Sequence, residues 1–537
     1  MKISIQSFKG VAPRINPRYL PEGVAQTCRN AEAIGWSLKP YAHPTDTADT
    51  IPVTTKTLYR YNAQGQTPMW LHWGDDVDVV KSQIANDTEE WTHFTGDSEA
   101  VGPRSTYASI VGSGNSVSMG VQPPEQKLSL LVQGEEPDAS AGEVPETRVY
   151  VATFIRQLAG VTAQSMPSPA SNTVDVYSST QSVDVDLPAL NSASNVTGIR
   201  LYRSVSGEYL FVGEFDAAKA GTTINDAAKS DELNQPLPSL NWAPPPEDLT
   251  GLVNMPNGVV AGFVNRDVFF CEPYRPYAWP VAYMQSLDYD IVGLGVLDTT
   301  LVVLTTGEPY FIQGATPDSM VVVKAQNPQS CVSKHSIVSA QGSVFYASPD
   351  GLMRVSTSGS ELVTWEKFSV EQWQALNPAS FNAFFHEDKY IAFYDNGTES
   401  GAFVMDLRTG EVSFSEVYAE AGFRDLFDDA LYIKQAGRST VSIWRGSNAK
   451  QEAVWRSKRY SMPRRTSLSW AHVEAENYPL TCRVYSDGAL IHTQNVASRD
   501  PFRLPSAPGR DWEVEVETDK EVFALMLAQS SQELASG

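Results

Sequence analysis

The chain has 537 residues, more than one hydrophobic core organises, so about three or four folded units are expected. Asp and Glu outnumber Lys and Arg by 63 to 40, a formal charge of −23, and a chain this acidic is not built to grip nucleic acid by neutralising phosphates. Hydrophobic residues make up 42% and charged residues only 19%, which excludes bulk disorder.

Residues 1–50 read as an N-terminal arm. Pro13, Pro17, Pro21 and Gly23 suggest an extended path across the fold, anchored by Phe8, Ile15, Tyr19 and Leu20. A short helix is expected around Val24 to Ile34. The opening MKISIQSFKG has no long apolar region and no small-residue cleavage site, so no signal peptide is expected. Arg14 and Arg18 are candidate contacts to an adaptor or a neighbouring subunit, because Arg is favoured at interfaces; Arg is also common on plain surfaces.

Residues 51–144 begin a β-propeller. The stretch TLYRYNAQGQTPMWLHWGDDVDVVKSQIANDTEEWTHFTG alternates as strands do and is read as a first blade. After the acidic linker GEEPDASAGEVPET, residues 145–240 form a different unit of seven short strands, from RVYVATFI to a closing TTIND. Its segments YVATF, PSPASNTV and VTGIRLYRS, with Tyr202, resemble fibronectin type III modules. The proline-rich exit PLPSLNWAPPPEDL returns the chain to the propeller, so the module reads as an insertion on a loop that leaves the host core intact.

Across 241–455 a unit recurs at roughly 40 residues, the size of a four-stranded blade. Its copies start at GVVAGFV, IVGLGVL, HSIVSAQ, FNAFFHE and FRDLFDD. One helix is expected from Ser369, where Ser-Val-Glu-Gln forms a capping pattern before Trp373. Residues 456–537 read as a β-sandwich of five strands with a hairpin turn at Asp487-Gly488. The fold class is therefore all-β: a propeller, an inserted sandwich of fibronectin type III kind, and a C-terminal sandwich.

Two charged features stand out in that last unit. Asp511, Glu513, Glu515, Glu517, Asp519 and Glu521 occupy every odd position of DWEVEVETDKE, which at period two puts six carboxylates on one strand face and mostly apolar groups on the other. Such a stripe is a solvated sheet face, or the partner of the basic segment Arg456, Lys458, Arg459, Arg464 and Arg465 within the domain or across subunits, or the wall of a water-filled passage. A wall of that kind would let DNA slide without sticking, and Lys in place of Glu513, Glu515 and Glu517 should then slow its passage.

Catalytic patterns are sparse. The seven histidines are not at metal-ligand spacing, and no phosphate loop or nucleophile elbow occurs. Cys28, Cys271, Cys331 and Cys482 are far apart and read as separate, buried, reduced thiols. Carboxylate groups at Asp425, Asp428 and Asp429, or Asp75, Asp76 and Asp78, could hydrolyse glycans as a pair, but they sit in turn-like text, where Asp is favoured by local hydrogen bonds, and are read first as turn residues. No catalytic residue, cofactor or metal is assigned, and no segment is long and apolar enough to span a membrane as a helix.

The opening SFKGVAPRINPRYLPEGVAQTCRNAEAIGWSLKPY carries Lys9, Gly10, Pro13, Arg14, Leu20, Pro21, Ala25, Gln26, Asn30, Gly35, Leu38 and Pro40 in an order that resembles the N-terminal signature of tail nozzle (tail tubular) proteins of short-tailed bacteriophages. EPYRPYAWP (272–280), SPDGLMRVS (348–356) and ALMLAQSSQELA (524–535) look like the text of related virion proteins. The resemblance implies a non-enzymatic ring, usually a hexamer, that docks on a tail adaptor or portal-proximal tail protein. It also implies that the ring retains the genome and lets DNA exit without specific binding, with tail fibres as further partners. Assembly in the host bacterial cytoplasm and residence in the virion tail follow. The alternatives are a tail-associated receptor-binding protein or glycan depolymerase, and a monomeric propeller adhesion module.

Overall fold

In a computed structural model of the chain, residues 2–63, 65–84, 87–138, 142–190, 195–326 and 329–535 are described. Residues 139–141 of the expected linker, and Gln64, Ala85 and Asn86 of the expected first blade, lie outside them.

Period-two burial dominates, and the fold is all-β as expected. Six four-stranded antiparallel sheets and one two-stranded hairpin form the propeller. Blade 1 is the hairpin Thr57–Tyr61 and Met69–Trp73. Blade 2 starts at Asp78–Lys81, and blades 3 to 7 start at Thr250–Asn254, Ile291–Leu297, Val338–Ala340, Asn382–His386 and Ala419–Asp425. The five recurring copies are blades 3 to 7. The earlier stretch does not form one blade: it divides into blade 1 and the first two strands of blade 2. Blade 1 is held by its faces, with Trp70 against Phe423 and Tyr432 of blade 7, and Tyr61 and Met69 in a cluster with Val111 of blade 2.

Each blade opens on its innermost strand, where space is tightest. Gly295 of blade 4 meets Val344 of blade 5, and a Cβ there would lie 2.7 Å from that side chain. Cores form between facing sheets, as with Phe263, Phe270, Leu301 and Val303 between blades 3 and 4. Thr45–Thr50 pairs with Thr440–Ile443 as the fourth strand of blade 7, so an early strand closes the ring.

The insert leaves blade 2 after Val117–Ser118 and returns at Thr250. It is a sandwich of a three-stranded sheet (Leu130–Gln133, Ser182–Asp186, Thr223–Asp226) over a four-stranded one built on Tyr150–Leu158 and Gly198–Val205. Its first strand precedes residue 145, the boundary expected from sequence, because Leu130–Gln133 pairs with Ser182–Asp186.

The N-terminal segment is not a separate arm. Lys2–Ile5 pairs with Val522–Ala528, and Leu38–Pro40 also meets that strand. Thr27–Arg29 lies between Val412–Ser415 of blade 6 and Ala453–Arg456, so the blade 6 sheet continues into the C-terminal sandwich. Phe8 and Leu20 are buried as expected, but Tyr19 is 74% exposed and anchors nothing. The expected helix at 24–34 is replaced by strands Thr27–Arg29 and Ala31–Gly35. Asn30, at φ 53°, breaks the run, and Cys28, Ala31 and Ala33 enter the core, so sheet pairing overrides helix propensity.

The helix from Ser369 forms at Val370–Gln374, with Ser369 and Gln372 capping reciprocally and Trp373 buried. All five C-terminal strands are present. Asp487 and Gly488, at φ 47° and 83°, make the two-residue turn between Leu480–Ser486 and Ala489–Val496.

Candidate functional site

The acidic strand Gly509–Thr518 alternates as expected: Trp512, Val514 and Val516 enter the core while Asp511, Glu513, Glu515 and Glu517 face the other way. That outer face is covered by cations. Glu513, only 1% exposed, accepts from Arg456 Nε and Nη2 at 2.9 and 2.6 Å, from Arg459 Nε at 2.7 Å and from Gln26 Nε2 at 3.0 Å. Burial alone would raise its pKa; the bonds from Arg459, Gln26 and Arg456 outweigh that and hold it below the usual carboxylate range. Arg483 donates to Glu515 at 2.9 Å and also binds Glu517. Asp511 accepts from Ser461 and from Arg18, at 3.0 Å from the latter. Past the strand end, Asp519 pairs with Lys520, and Glu521 accepts from Ser37.

Of the three uses open to the stripe, pairing inside the domain is therefore the observed one for Glu513 and Glu515. Glu513, Glu515 and Glu517 neutralise guanidiniums within the domain, and Lys at these three positions would set like charges against Arg456, Arg459 and Arg483. Within the basic segment, Arg456 and Arg459 serve the stripe. Arg465 instead donates to Pro508 O and lies 3.3 Å from Asp487, and Lys458 sits over the Tyr460 ring. Arg464 is exposed. Arg483 is not singled out by the sequence, which places Gln26 only in the N-terminal signature, not beside the stripe. Arg483 alternates outward in LTCRVYS, directly across from Glu515 in the register, which is the signal that could have found it.

The candidate contacts Arg14 and Arg18 are both engaged inside the chain. Arg14 stacks over Trp365 at 3.9 Å and donates to its carbonyl at 2.7 Å, and Arg18 reaches the carboxylate of Asp511. Other signature residues gather at the same joint. Gly10 lies so close to blade 6 that a Cβ would sit 2.2 Å from Val412 O. Asn30 donates to Glu416 and to Glu452 O, and accepts from Glu416 N. EPYRPYAWP lies at the other joint: Tyr277 and Ala278 belong to the core of the insert, and Trp279 to that of blade 3.

In both expected carboxylate groups the members are charge-paired except Asp75, which accepts from Ser98 N and Oγ. Lys334 Nζ, leading into blade 5, lies 3.1 Å from Asp76 and 2.8 Å from Asp78, which lead into blade 2. Those blades are separated by two others in chain order, so the contact joins blades that are not neighbours, beside Gly251 of blade 3, whose N–H also donates to Asp78. At the opposite ends of the innermost strands, Arg60 binds Asp425 at 3.0 Å and also Asp428, while Arg424 binds Asp429. Burial would raise the pKa of Asp428, but hydrogen bonds from Tyr432 and Arg60 hold it low, the reverse of what a general acid requires.

Beside Arg60 opens a cavity of about 810 Å³ lined by Tyr59, Tyr61, Asn62, Phe423 and Phe427 among others. All four cysteines are free and buried, and burial pushes their thiols up to about 12. Among the described residues, no cluster of His, Cys, Asp and Glu could hold a metal ion, and no helix is long and apolar enough to cross a membrane.

No protein-family model and no curated protein matches the chain. Among solved structures it is similar to PorZ, a surface component of the type-IX secretion system of Porphyromonas gingivalis, at 10% identity over 90% of this chain and 71% of that one, with a TM-score of 0.25. It is also similar to a glycoside hydrolase family 43 arabinoxylan arabinofuranohydrolase from Bacillus subtilis, at 12% identity over 65% of this chain and 93% of that one, with a TM-score of 0.18. Likeness at this level carries no argument about function.

Proposed function

We propose that the chain is a non-enzymatic structural protein of a phage virion, a subunit of a ring, probed first as a hexamer, that forms the nozzle of a short tail. In this reading the ring docks on the tail adaptor, retains the genome and passes DNA without specific binding. The observation that carries the proposal is the use made of the signature residues: Gly10, Gln26, Asn30 and Leu38 join the propeller to the C-terminal sandwich. Residues that resemble a nozzle signature thus tie the propeller to the C-terminal sandwich, which suits a part that must hold against a packaged genome.

Two further features support it. A net charge of −23 disfavours adhesion to a polyanion in transit. The outer edge of blade 1 pairs with no other described strand, which leaves room for strands from a neighbour. The test is the mass of the purified assembly together with its place along the tail axis by electron microscopy. A ring at the distal end is expected. A freely diffusing monomer that cleaves host glycans would replace this reading with that of a depolymerase.

A further inference from the structure

We propose that the cavity beside Arg60 binds a neutral saccharide, independently of whether the chain forms a ring. The cavity lies where the innermost strands of blades 7, 1 and 2 end, and its volume of about 810 Å³ falls within the roughly 300–1,000 Å³ of small-molecule sites. Three properties of its lining define what fits.

The first is charge. Every cation on the wall already has a carboxylate: Arg60 has Asp425 and Asp428, Arg424 has Asp429, and Lys81 has Glu90. An anionic ligand would have to break one of these pairs to find a counter-ion, so a neutral ligand is favoured over an anionic one.

The second is an unmet hydrogen bond. Asn62 turns its amide nitrogen to Asp425 at 3.3 Å, and because a carboxylate only accepts, this fixes which way the amide points. Its carbonyl oxygen Oδ1 is left buried with no protein partner among the described residues. A buried acceptor without a donor is costly, and a small turn of the Asn62 side chain into the cavity would let a ligand hydroxyl satisfy it.

The third is the aromatic content. Tyr59 and Phe423 pack edge to face at 5.2 Å, Tyr61 stands beside them, and Phe427 projects at the lip with 86% of its surface exposed. The C–H faces of a pyranose ring provide the apolar surface these rings can cover, and its hydroxyls provide the donor that Asn62 lacks. An uncharged ligand with hydroxyl donors and apolar faces describes a neutral sugar segment.

The experiment titrates the full-length protein with neutral hexasaccharides of glucose, mannose, galactose and N-acetylglucosamine, and with a hexauronate of equal length. Binding is read by calorimetry and by tryptophan fluorescence, since Trp70 lies 6.2 Å from Phe423. At least one neutral hexasaccharide should saturate at or below about 1 mM, with the hexauronate weaker. Phe427→Ala should weaken that binding about tenfold without moving the melting temperature, because the ring is exposed; Asn62→Ala should weaken it as well. Absence of binding by every neutral sugar at about 10 mM, equal binding by the hexauronate, or unchanged affinity in Phe427→Ala would each overturn the proposal.

Discussion

Arg456 reaches diagonally across neighbouring strands, past its register partner Glu515, to place two hydrogen bonds on one carboxylate oxygen of Glu513, at the point where the chain passes from the propeller into the C-terminal sandwich. Gln26, from the N-terminal segment, donates to that same oxygen. Three distant parts of the sequence thus meet on a single buried charge.

Neutralising that charge should loosen the joint. Glu513→Gln leaves Arg456 and Arg459 facing each other without a shared anion, and loss of one member of a buried pair costs about 3 kcal/mol. Arg483→Met, which opens pairs whose carboxylates are 13% and 22% exposed where Glu513 is 1% exposed, should cost less, about 1 kcal/mol. Urea denaturation of the two variants measures the difference. The same group sets an acid limb. Its folded pKa lies below the ordinary value, so its contribution is present above the unfolded pKa and is lost as pH falls through the folded one. Glu513→Gln should flatten this part of the stability profile.

His93 adds a second acid dependence by a different route. It is buried in blade 2 with Nδ1 2.7 Å from Ser105 Oγ, and burial, reinforced by the nearby Arg156 charge, pushes its pKa down to about 3. The unfolded chain takes up a proton at this residue near pH 6.5 while the folded one does not. Stability associated with His93 is therefore lost progressively as pH falls from about 6.5 towards 3. Thermal unfolding of His93→Gln across that range should show a weaker decline than the parent.

Arg156 controls how the insert is held. From the insert strand Tyr150–Leu158 it donates to three successive carbonyls at the exit of blade 2, Ser118 and Gly120 through Nη1 and Met119 through Nη2. Burial lowers its pKa to about 10, yet it stays charged near neutrality. Arg156→Met removes these bonds and leaves three carbonyls without donors. Limited proteolysis should then cut between residues 119 and 128 at least tenfold faster, an increase of about 1.4 kcal/mol in local opening, with the propeller itself surviving.

The period-two text of blades 3 to 6 was legible because each of these blades is local: its four strands follow one another and pair in order, and blade 7 is local in its first three strands, its fourth being Thr45–Thr50. Blade 1 and the N-terminal segment were not, since their structure is decided by distant partners. Nothing near Thr27 announces that it will pair with Arg456, and nothing in Asp511 to Glu517 announces Arg483. The stripe itself was visible as a pattern, but whether its carboxylates meet water or guanidinium depends on register between strands far apart in sequence. The cavity beside Arg60 was invisible for the same reason, being formed by residues near 60, 90 and 425.

Lys334 offers the sharpest test of how blades 2 and 5 are tied together. Burial raises the pKa of Asp78, and Lys334, aided by the N–H of Gly251 at 2.7 Å, only partly offsets it. Asp76 behaves differently: burial would raise it too, but His335 and Lys334 together hold it low. Lys334→Met leaves Asp78 with the backbone donor alone, so its carboxyl should hold a proton to higher pH in the folded state. A raised folded pKa contributes stability at low pH that disappears as pH rises through it. The deficit of Lys334→Met relative to the parent should therefore be largest near pH 8 and smallest near pH 4. Adding Asp78→Asn removes the stranded charge, and the double variant should recover most of the loss at pH 8, since deleting both partners costs less than deleting one. Equal deficits at the two pH values, or a double variant no better than the single one, would show that Lys334 acts through packing rather than through its charge.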